Sequence, residues 1–109
     1  MVCAMSDLRV LLVTATAEEA PRLVRALCEE RLIACGNLVQ SVRSIYRWEG
    51  QICDTAEVLI VMETMANRLD AAQSRIQELH SYDVPKIIAL APADVAQAYE
   101  AWVATTTRE

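Results

Sequence analysis

Apolar and polar positions change their period several times along the chain, and each change predicts an element of secondary structure. The unbroken apolar run at 10–13 predicts a strand over 8–14 that is buried on both faces. Thr16 and Glu19 have the spacing of a capping box, which predicts a helix that runs from there through about Arg31. The apolar positions of this helix recur on one face: Leu23, Val24 and Leu27.

Two long strands joined by a short turn are predicted next. Residues 37–48 are rich in β-branched and aromatic side chains, residues 51–64 end in a continuous apolar run, and Glu49 and Gly50 form the turn between them. Strands of this length span on the order of 35 Å, whereas a globular chain of this size has a radius of gyration of about 13 Å. The hairpin is therefore expected to extend beyond its own core.

A hairpin of this kind leaves apolar side chains and free strand edges in water. The apolar residues concerned are Leu38, Val42, Tyr46 and Trp48. Both features attract a partner, so the pattern predicts an oligomer. A shorter hairpin with a solvated tip is the alternative.

The second half of the chain predicts a helix, a strand and a last helix. Asn67 and Asp70 mark a helix start, and this helix is expected to end near His80. Its apolar stripe consists of Leu69, Ala72, Ile76 and Leu79. A strand over 86–90 follows, and residues 92–94 open the final helix. The residues expected to point inward from that helix are Val95, Ala98, Tyr99 and Trp102.

The predicted order is βαββαβ with an additional C-terminal helix. This order matches the ferredoxin-like α+β fold, in which two helices cover one face of a four-stranded antiparallel sheet. We expect one such domain over residues 8–109, preceded by a flexible N-terminal extension over residues 1–7. The second face of the sheet also needs cover, and neighbouring subunits are an economical way to provide it.

Composition restricts the possible classes of function. Of the 109 residues, 54% are hydrophobic and 23% are charged, which is typical of a compact globular protein. The net charge of -5 and the lack of clustered Lys and Arg argue against a nucleic-acid partner. No run approaches the roughly 20 apolar residues of a membrane helix, and the N terminus does not resemble a signal peptide. We therefore expect a cytoplasmic protein with no membrane partner.

Two residues are candidate metal ligands. His80 is the sole histidine, and neutral imidazole binds transition metals near pH 7. The alternative is that His80 has a structural role and interacts with the last carbonyls of its helix. Cys35 offers a thiolate for copper, or else it is a buried small apolar residue. The four cysteines have no CxxC spacing, which predicts free thiols: Cys3, Cys28, Cys35 and Cys53. In an oligomer, symmetry can bring ligands from different subunits together.

Glu57 and four aromatic residues are candidates for a subunit interface or a ligand cleft. Glu57 lies in an apolar strand, where a carboxylate needs a partner, and an ion pair is the expected one. The aromatic candidates are Tyr46, Trp48, Tyr82 and Trp102. Aromatic residues are enriched in subunit interfaces and also line ligand pockets, so both roles stay open.

An enzymatic role is not expected. The sequence contains no nucleophile motif. Gly36 and Gly50 are its only glycines, so it lacks a glycine-rich phosphate-binding loop. We therefore expect neither catalysis nor an organic cofactor.

Several blocks of residues resemble a known family. They are ERLIACGN at 30–37, SIYRWEG at 44–50, Glu57, Thr64, His80, Tyr82, residues 84–85 and 87–90, Tyr99 and Trp102. In this order and spacing they resemble the CutA family of divalent-cation tolerance proteins over about residues 10–102. The resemblance implies a homotrimer of ferredoxin-like subunits, similar in architecture to the PII signalling proteins. It also implies a link to copper and other divalent cations.

The sequence departs from the pattern of that family near the end of the third strand and in the turn after the second helix. Glu63 and Lys86 stand where the family commonly has Lys and Glu, which suggests one ion pair with its signs exchanged. Ser81 replaces the usual proline after His80, so a looser turn is expected.

The resemblance leads to one main functional hypothesis and two alternatives. Thr14 and Leu79 occupy positions where some members carry a cysteine and a second histidine, so His80 alone remains of that copper-ligand set. The main hypothesis is a non-enzymatic cytoplasmic homotrimer that binds copper or another divalent cation weakly, in metal tolerance or signalling. The alternatives are a PII-like sensor that binds a small organic ligand between subunits, and a trimeric adaptor that presents surfaces to another protein.

Overall fold

The structure, a computed structural model, describes residues 6–109 as one antiparallel sheet with helices. The elements are β1 (Leu8–Ala15), α1 (Glu19–Glu29), β2 (Cys35–Trp48), β3 (Gln51–Met65), a 3₁₀ turn (Ala66–Arg68), α2 (Leu69–Leu79), β4 (Ile87–Leu90) and α3 (Gln97–Thr106). The strand order across the sheet is β2-β3-β1-β4. The predicted α+β fold, with its βαββαβ order and C-terminal helix, is confirmed. Cys3 and most of the predicted extension over residues 1–7 lie outside the described residues.

Helix α1 begins at the capping box that the sequence predicts. Thr16 Oγ1 accepts a hydrogen bond from the backbone N–H of Glu19 at 3.1 Å, and Glu19 Oε2 accepts one from the backbone N–H of Thr16 at 3.2 Å. The i→i−4 bonding begins at the next turn, where the Ala20 backbone N–H donates to the Thr16 carbonyl oxygen at 3.0 Å, and Pro21 follows directly. The helix ends at Glu29, slightly before the predicted end, because Arg31 has a left-handed backbone with φ of 60°.

Strands β2 and β3 form the long hairpin that the sequence predicts. Glu49 and Gly50 at its tip both have positive φ, 50° and 79°, as a two-residue hairpin turn requires. The register of the two strands shifts at a bulge between Val39 and Val42. The molecule measures 50 × 32 × 22 Å and has a radius of gyration of 14.9 Å, which exceeds the roughly 13 Å of a compact chain of this length. The hairpin therefore extends beyond the core.

Helices α1 and α2 cover one face of the sheet and form the core with it. The buried apolar residues of this core are Leu11, Val13, Ala15, Ala20, Leu23, Val24, Leu27, Leu32, Ile33, Val58, Ile60, Met62, Ala72 and Ile76. Gly36 of β2 lies directly beneath α1, because a Cβ atom at this position would meet Val24 Cγ1 at 2.6 Å. The helix thus packs against the strand more closely than a larger residue allows.

The opposite face of the sheet, called the open face below, is incompletely covered within one chain. Alternate residues of β1 and β3 on this face are partly buried: Val10, Leu12, Leu59 and Val61. Val39, Ile88 and Leu90 on the same face are 47%, 45% and 46% exposed. The prediction that β1 is buried on both faces is therefore wrong for a single chain, because α1 and α2 both lie on the other side.

Helix α3 differs from its prediction in where it begins and in which face it buries. It begins at Gln97 rather than near residues 92–94, because Ala96 has a non-helical backbone with ψ of 128°. Val103 is fully buried. The residues predicted to point inward are partly or largely exposed: Val95, Ala98, Tyr99 and Trp102. The helix contacts the sheet along a narrow strip, so most of its surface remains exposed to solvent in the single chain.

The buried stripe of α2 is shorter than predicted. Ala72 and Ile76 are fully buried and Leu69 is partly buried. Leu79 is 39% exposed, although the stripe was expected to include it. The helix ends at this residue, and the backbone at His80 is already extended, so Leu79 is directed away from the core.

Candidate functional site

His80, the predicted metal ligand at the end of α2, is buried and uses both ring nitrogens within the chain. Its Nε2 lies 2.8 Å from the carbonyl oxygen of Thr14, which can only accept, so Nε2 carries the proton. Its Nδ1 accepts a hydrogen bond from the backbone N–H of Tyr82 at 3.1 Å. In this arrangement the ring has no free lone pair for a metal. The side chain of His80 thus ties the end of α2 to β1, while its backbone N–H donates a hydrogen bond to the Ile76 carbonyl oxygen of its own helix at 2.9 Å.

Glu19 holds the turn that follows α2. Its carboxylate accepts hydrogen bonds from the Ser81 backbone N–H at 3.0 Å, the Ser81 hydroxyl at 2.8 Å and the Thr16 hydroxyl at 2.8 Å. Burial alone would raise the pKa of this carboxyl group, but the hydrogen bonds from Ser81 and Thr16 lower it to about 2. These bonds oppose the loosening expected from the loss of proline, because a proline in place of Ser81 could not donate the N–H bond.

A cleft of about 780 Å³ lies on the open face, between the hairpin and the segment 81–86. Four of the five residues predicted for an interface or ligand cleft line it: Tyr46, Trp48, Glu57 and Tyr82. Tyr46 is 42% and Trp48 is 49% exposed. The fifth residue, Trp102, lies on α3 outside this cleft, with its ring 5.6 Å from that of Tyr99. The fold thus joins four of these candidates and separates one.

Glu57 is the buried acid of this cleft. It is 7% exposed, and its Oε2 accepts a hydrogen bond from the Tyr82 hydroxyl at 2.7 Å. Burial and the neighbouring Glu57 carboxylate raise the pKa of Tyr82 far above its usual value, so the phenol stays protonated and donates. The expected ion pair is not formed within residues 6–109, where no basic side chain lies within 4.0 Å of the Glu57 carboxylate.

Cys35, the second predicted metal ligand, lies beside a carboxylate at the other end of the open face. It is paired directly with Glu63 across β2 and β3, so the two side chains leave the sheet on the same side. Glu63 Oε1 accepts a hydrogen bond from the Tyr99 hydroxyl at 2.7 Å. Burial raises the pKa of the Cys35 thiol, and the charge of Glu63 raises it further, although a hydrogen bond with Tyr99 opposes both.

The two candidate metal ligands are not neighbours within one chain. Glu63, the partner of Cys35, pairs with Val10 of β1, whereas His80 bonds to Thr14, four residues further along that strand. This spacing corresponds to about 13 Å along β1. Across residues 6–109 there is no group of three or more His, Cys, Asp or Glu side chains arranged to hold a metal ion.

The hypothesised pair between Glu63 and Lys86 is also absent from the described chain. Lys86 lines the cleft and comes just before Ile87, which pairs with Val13 of β1. Glu63 pairs with Val10 instead, three residues before Val13, so Lys86 lies more than about 10 Å along the strand direction from Glu63. The helices of the described residues include none long and apolar enough to cross a membrane.

The chain is similar to known proteins over most of its length. A family model described as CutA1 divalent ion tolerance protein matches residues 9–106. The chain belongs to this family. The divalent-cation tolerance protein CutA of Thermus thermophilus is 38% identical over 99 residues, which cover 90% of this chain and 96% of that protein. The protein of the same description from Pyrococcus horikoshii is 40% identical over 92 residues, or 84% and 89% of the two chains.

Solved CutA structures share the fold of this chain. CutA from Xylella fastidiosa superposes with a TM-score of 0.92 at 32% identity, over 94% of this chain and 100% of that one. A protein described as the PII-like protein CutA from Nostoc sp., in its apo form, gives a TM-score of 0.87 at 31% identity, over 92% and 97% of the chains. The resemblance to CutA and the PII-like fold are thus confirmed.

Sequence reasoning about this CutA chain missed several polar residues of the cleft. Ser44, Asp83 and Lys86 line it together with Thr14 and Leu59. Thr14 and Leu59 are paired across β1 and β3, so the predicted sheet could have indicated them. Asp83 belongs to a turn with no regular period, and its place in the cleft depends on the bonds that hold the neighbouring residues.

Proposed function

We propose that this CutA-family chain is a non-enzymatic homotrimer of the cytoplasm that responds to divalent cations, with copper as the leading candidate. The observation that carries the assembly is the open face, where Val39, Ile88 and Leu90 are nearly half exposed. Apolar surface of this extent is commonly covered by a partner. The family description, divalent ion tolerance, supports a response to ions rather than catalysis. The unpaired thiols at Cys28, Cys35 and Cys53 agree with a reducing compartment.

Native mass spectrometry tests the assembly. The parent protein is expected to have about three times the 12.1 kDa mass of one chain. Ile88→Asp places a charge on the open face and is expected to dissociate the trimer. Gln77→Asp, on the exposed surface of α2, is the matched control and should leave the mass unchanged. A parent protein with the mass of one chain would refute the proposal.

For the cation, the arrangement favours the Cys35 thiol together with the Glu63 carboxylate. The two lie opposite each other on the open face, and a thiolate with a carboxylate suits a divalent ion of intermediate softness. Two ligands from one chain are too few, so other subunits would complete the site. His80 is left out of this set, because both of its ring nitrogens are already bonded.

Calorimetric titration of reduced, metal-free protein tests this site. Cu(II), and Cu(I) under anaerobic conditions, are expected to bind saturably to the parent protein and to Cys28→Ala, the control at an exposed cysteine. Binding is expected to be lost in Cys35→Ala and kept in His80→Gln. No binding to the parent would refute the metal role. If copper binding were lost only in a folded His80→Gln variant, His80 rather than Cys35 would be the ligand.

The cleft supports a second candidate, in which the trimer senses a small ligand. Its volume of about 780 Å³ lies within the roughly 300–1,000 Å³ of typical small-molecule sites. Its aromatic walls, Tyr46 and Trp48, surround the buried Glu57. Thermal unfolding discriminates the two candidates, because a ligand raises the melting temperature when it prefers the folded state. Copper should do so under the first candidate and a small organic molecule under the second.

A further inference from the structure

At the end of α2, a ring nitrogen of His80 and a carboxylate oxygen of Glu19 face each other with no proton between them. Nδ1 of His80 lies 3.6 Å from Oε1 of Glu19. The proton of the neutral ring is on Nε2, which donates to the Thr14 carbonyl oxygen. Burial raises the pKa of Glu19, but the hydrogen bonds from Ser81 and Thr16 lower it to about 2, so this carboxyl group is ionised at neutral pH. A proton added to Nδ1 would therefore have a carboxylate within reach.

This pair lies inside one chain, so it does not depend on how copies of the chain assemble. The His80 side chain is fully buried, and the Glu19 side chain is 12% exposed. Glu19 belongs to the first turn of α1, and among residues 6–109 it is the only acidic residue within 4.0 Å of the His80 ring. The turn after α2 adds the neutral phenol of Tyr82, whose ring centroid lies 4.5 Å from that of His80 and whose hydroxyl bonds to Glu57 of β3. Glu19 is therefore the charged group that a protonated ring would meet.

The turn after α2 uses the two acceptors that such a proton would engage. The backbone N–H of Ser81 donates to Oε1 of Glu19 at 3.0 Å, and the backbone N–H of Tyr82 donates to Nδ1 of His80 at 3.1 Å. A protonated Nδ1 is a donor and cannot accept the N–H of Tyr82. Its hydrogen bond to Oε1 would also compete with that of Ser81. The neutral ring and the charged ring thus require two different sets of hydrogen bonds.

We propose that His80 is a pH-sensitive switch of this turn: when Nδ1 takes up a proton from solvent, it releases the N–H of Tyr82 and donates to Oε1 of Glu19. The charged ring is favoured by the nearby carboxylate and by the face of the Tyr82 ring. Histidine is the side chain whose charge ordinarily changes between about pH 5 and 8. Because the Tyr82 hydroxyl bonds to Glu57, a change in the turn also reaches the cleft. The inference is independent of the metal and ligand candidates, since every group in it belongs to one chain.

NMR spectroscopy of the intact, assembled protein can follow the switch directly, because His80 is the only histidine in the sequence. Long-range ¹H–¹⁵N spectra recorded from about pH 8 to 5 are expected to change from the Nε2–H tautomer to the doubly protonated ring. Amide hydrogen exchange of Ser81 and Tyr82 is measured in parallel, as protection relative to the intrinsic rate at each pH. The protection of Tyr82 is expected to fall by about tenfold or more over the pH range in which the ring gains its proton.

Three variants separate the switch from a general effect of acid. His80→Gln is neutral at every pH and still has a donor for Thr14, so its Tyr82 protection is expected not to change with pH. Glu19→Gln removes the carboxylate that receives the charged ring, and it is expected to move the transition to lower pH by about one unit. Glu18→Gln, at the exposed neighbouring position, is the matched control and should leave the transition where it is in the parent.

Three results would overturn the proposal. The first is a ring that gains its proton while the protection of Tyr82 stays constant, because the two sets of hydrogen bonds would then not exclude each other. The second is a ring that stays neutral down to about pH 5. The third is a transition in Glu19→Gln at the same pH as in the parent. The first two are measured on the parent protein, so the proposal stays testable if a variant does not fold.

Discussion

The two faces of the sheet are formed by alternate residues of the same strands, yet one face is fully buried within the chain and the other is only partly buried. On β3, Val58, Ile60 and Met62 point toward α1 and α2 and are at most 2% exposed. Their neighbours Leu59 and Val61 point to the open face and are only partly buried. The alternation of the strand is the same on both sides, so the difference comes from what covers each side.

The polar groups of the two faces differ in the same way. Beneath the helices, Thr64 is fully buried and donates a hydrogen bond to the carbonyl oxygen of Leu32 at 2.7 Å. On the open face, Glu57 and Glu63 each accept one hydrogen bond from a tyrosine, and neither has a cation within ion-pair distance among residues 6–109. The covered face is complete within one chain, and the open face is suited to other subunits, ions or ligands.

The largest test of this difference is a matched pair of isoleucine truncations. Ile60→Ala removes buried volume beneath the helices and is expected to lower the free energy of unfolding by about 2–5 kcal/mol. Ile88→Ala acts on the open face, where the residue is 45% exposed, and is expected to remove contacts with other subunits. Urea unfolding at high and low protein concentration measures both effects.

Protein concentration separates the two outcomes. The loss in Ile60→Ala is expected to be the same at both concentrations, because the contacts are internal. The loss in Ile88→Ala should diminish once dilution separates the subunits of the parent protein. An Ile88→Ala variant as unstable as Ile60→Ala at every concentration would contradict the contrast between the faces.

Gly36→Ala tests how closely the covered face is packed. The added Cβ would meet Val24 Cγ1 at 2.6 Å, so a destabilisation of about 1–3 kcal/mol is expected. Gly50→Ala at the hairpin tip is the control, because its Cβ would meet nothing within 4 Å and only its φ of 79° is unfavourable. Thermal unfolding compares the two variants. Close packing under α1 would be refuted by a Gly36→Ala variant at least as stable as Gly50→Ala.

Much of the fold could be predicted because its signals are local. The capping box of Thr16 and Glu19 and the turn of Glu49 and Gly50 act between near neighbours in sequence, so the residue types indicate them directly. The buried face of α3 could not be predicted in this way. Val103 is buried through contacts of this short helix with strands far away in sequence, and no local period encodes them.

The candidate site likewise has features that could be predicted from the sequence and features that could not. Glu57 and Tyr82 could be identified from residue type and strand context, and the structure joins them in one cleft. The bonds that occupy both nitrogens of His80 could not be foreseen, because they come from β1 and from the turn after α2. The separation of Glu63 from Lys86 could not be foreseen either, because it depends on the register of β3 and β4 against β1.

Metal binding on the open face should depend on pH. Burial and the Glu63 carboxylate raise the pKa of the Cys35 thiol, so the thiol is protonated at neutral pH and must release its proton when an ion binds. Copper affinity is therefore expected to rise with pH, by up to about tenfold per unit below the thiol pKa. Calorimetry in buffers of different ionisation enthalpy counts the released proton. An affinity that does not change with pH would exclude Cys35 thiolate as the ligand.

The smallest expected effect belongs to the covered side, at Glu19. Glu19→Gln keeps the shape but removes the charge that Ser81 and Thr16 stabilise, and it is expected to cost about 1 kcal/mol at neutral pH. Because folding lowers the pKa of Glu19 to about 2, this stabilisation is complete above the unfolded pKa of about 4.3 and is lost as the pH falls toward the folded value. Urea unfolding at several pH values should show the gap between parent and variant close on acidification. The exposed neighbour Glu18, changed to Gln, is the control, and a gap for Glu19→Gln that stays constant with pH would show that its charge does not hold the turn.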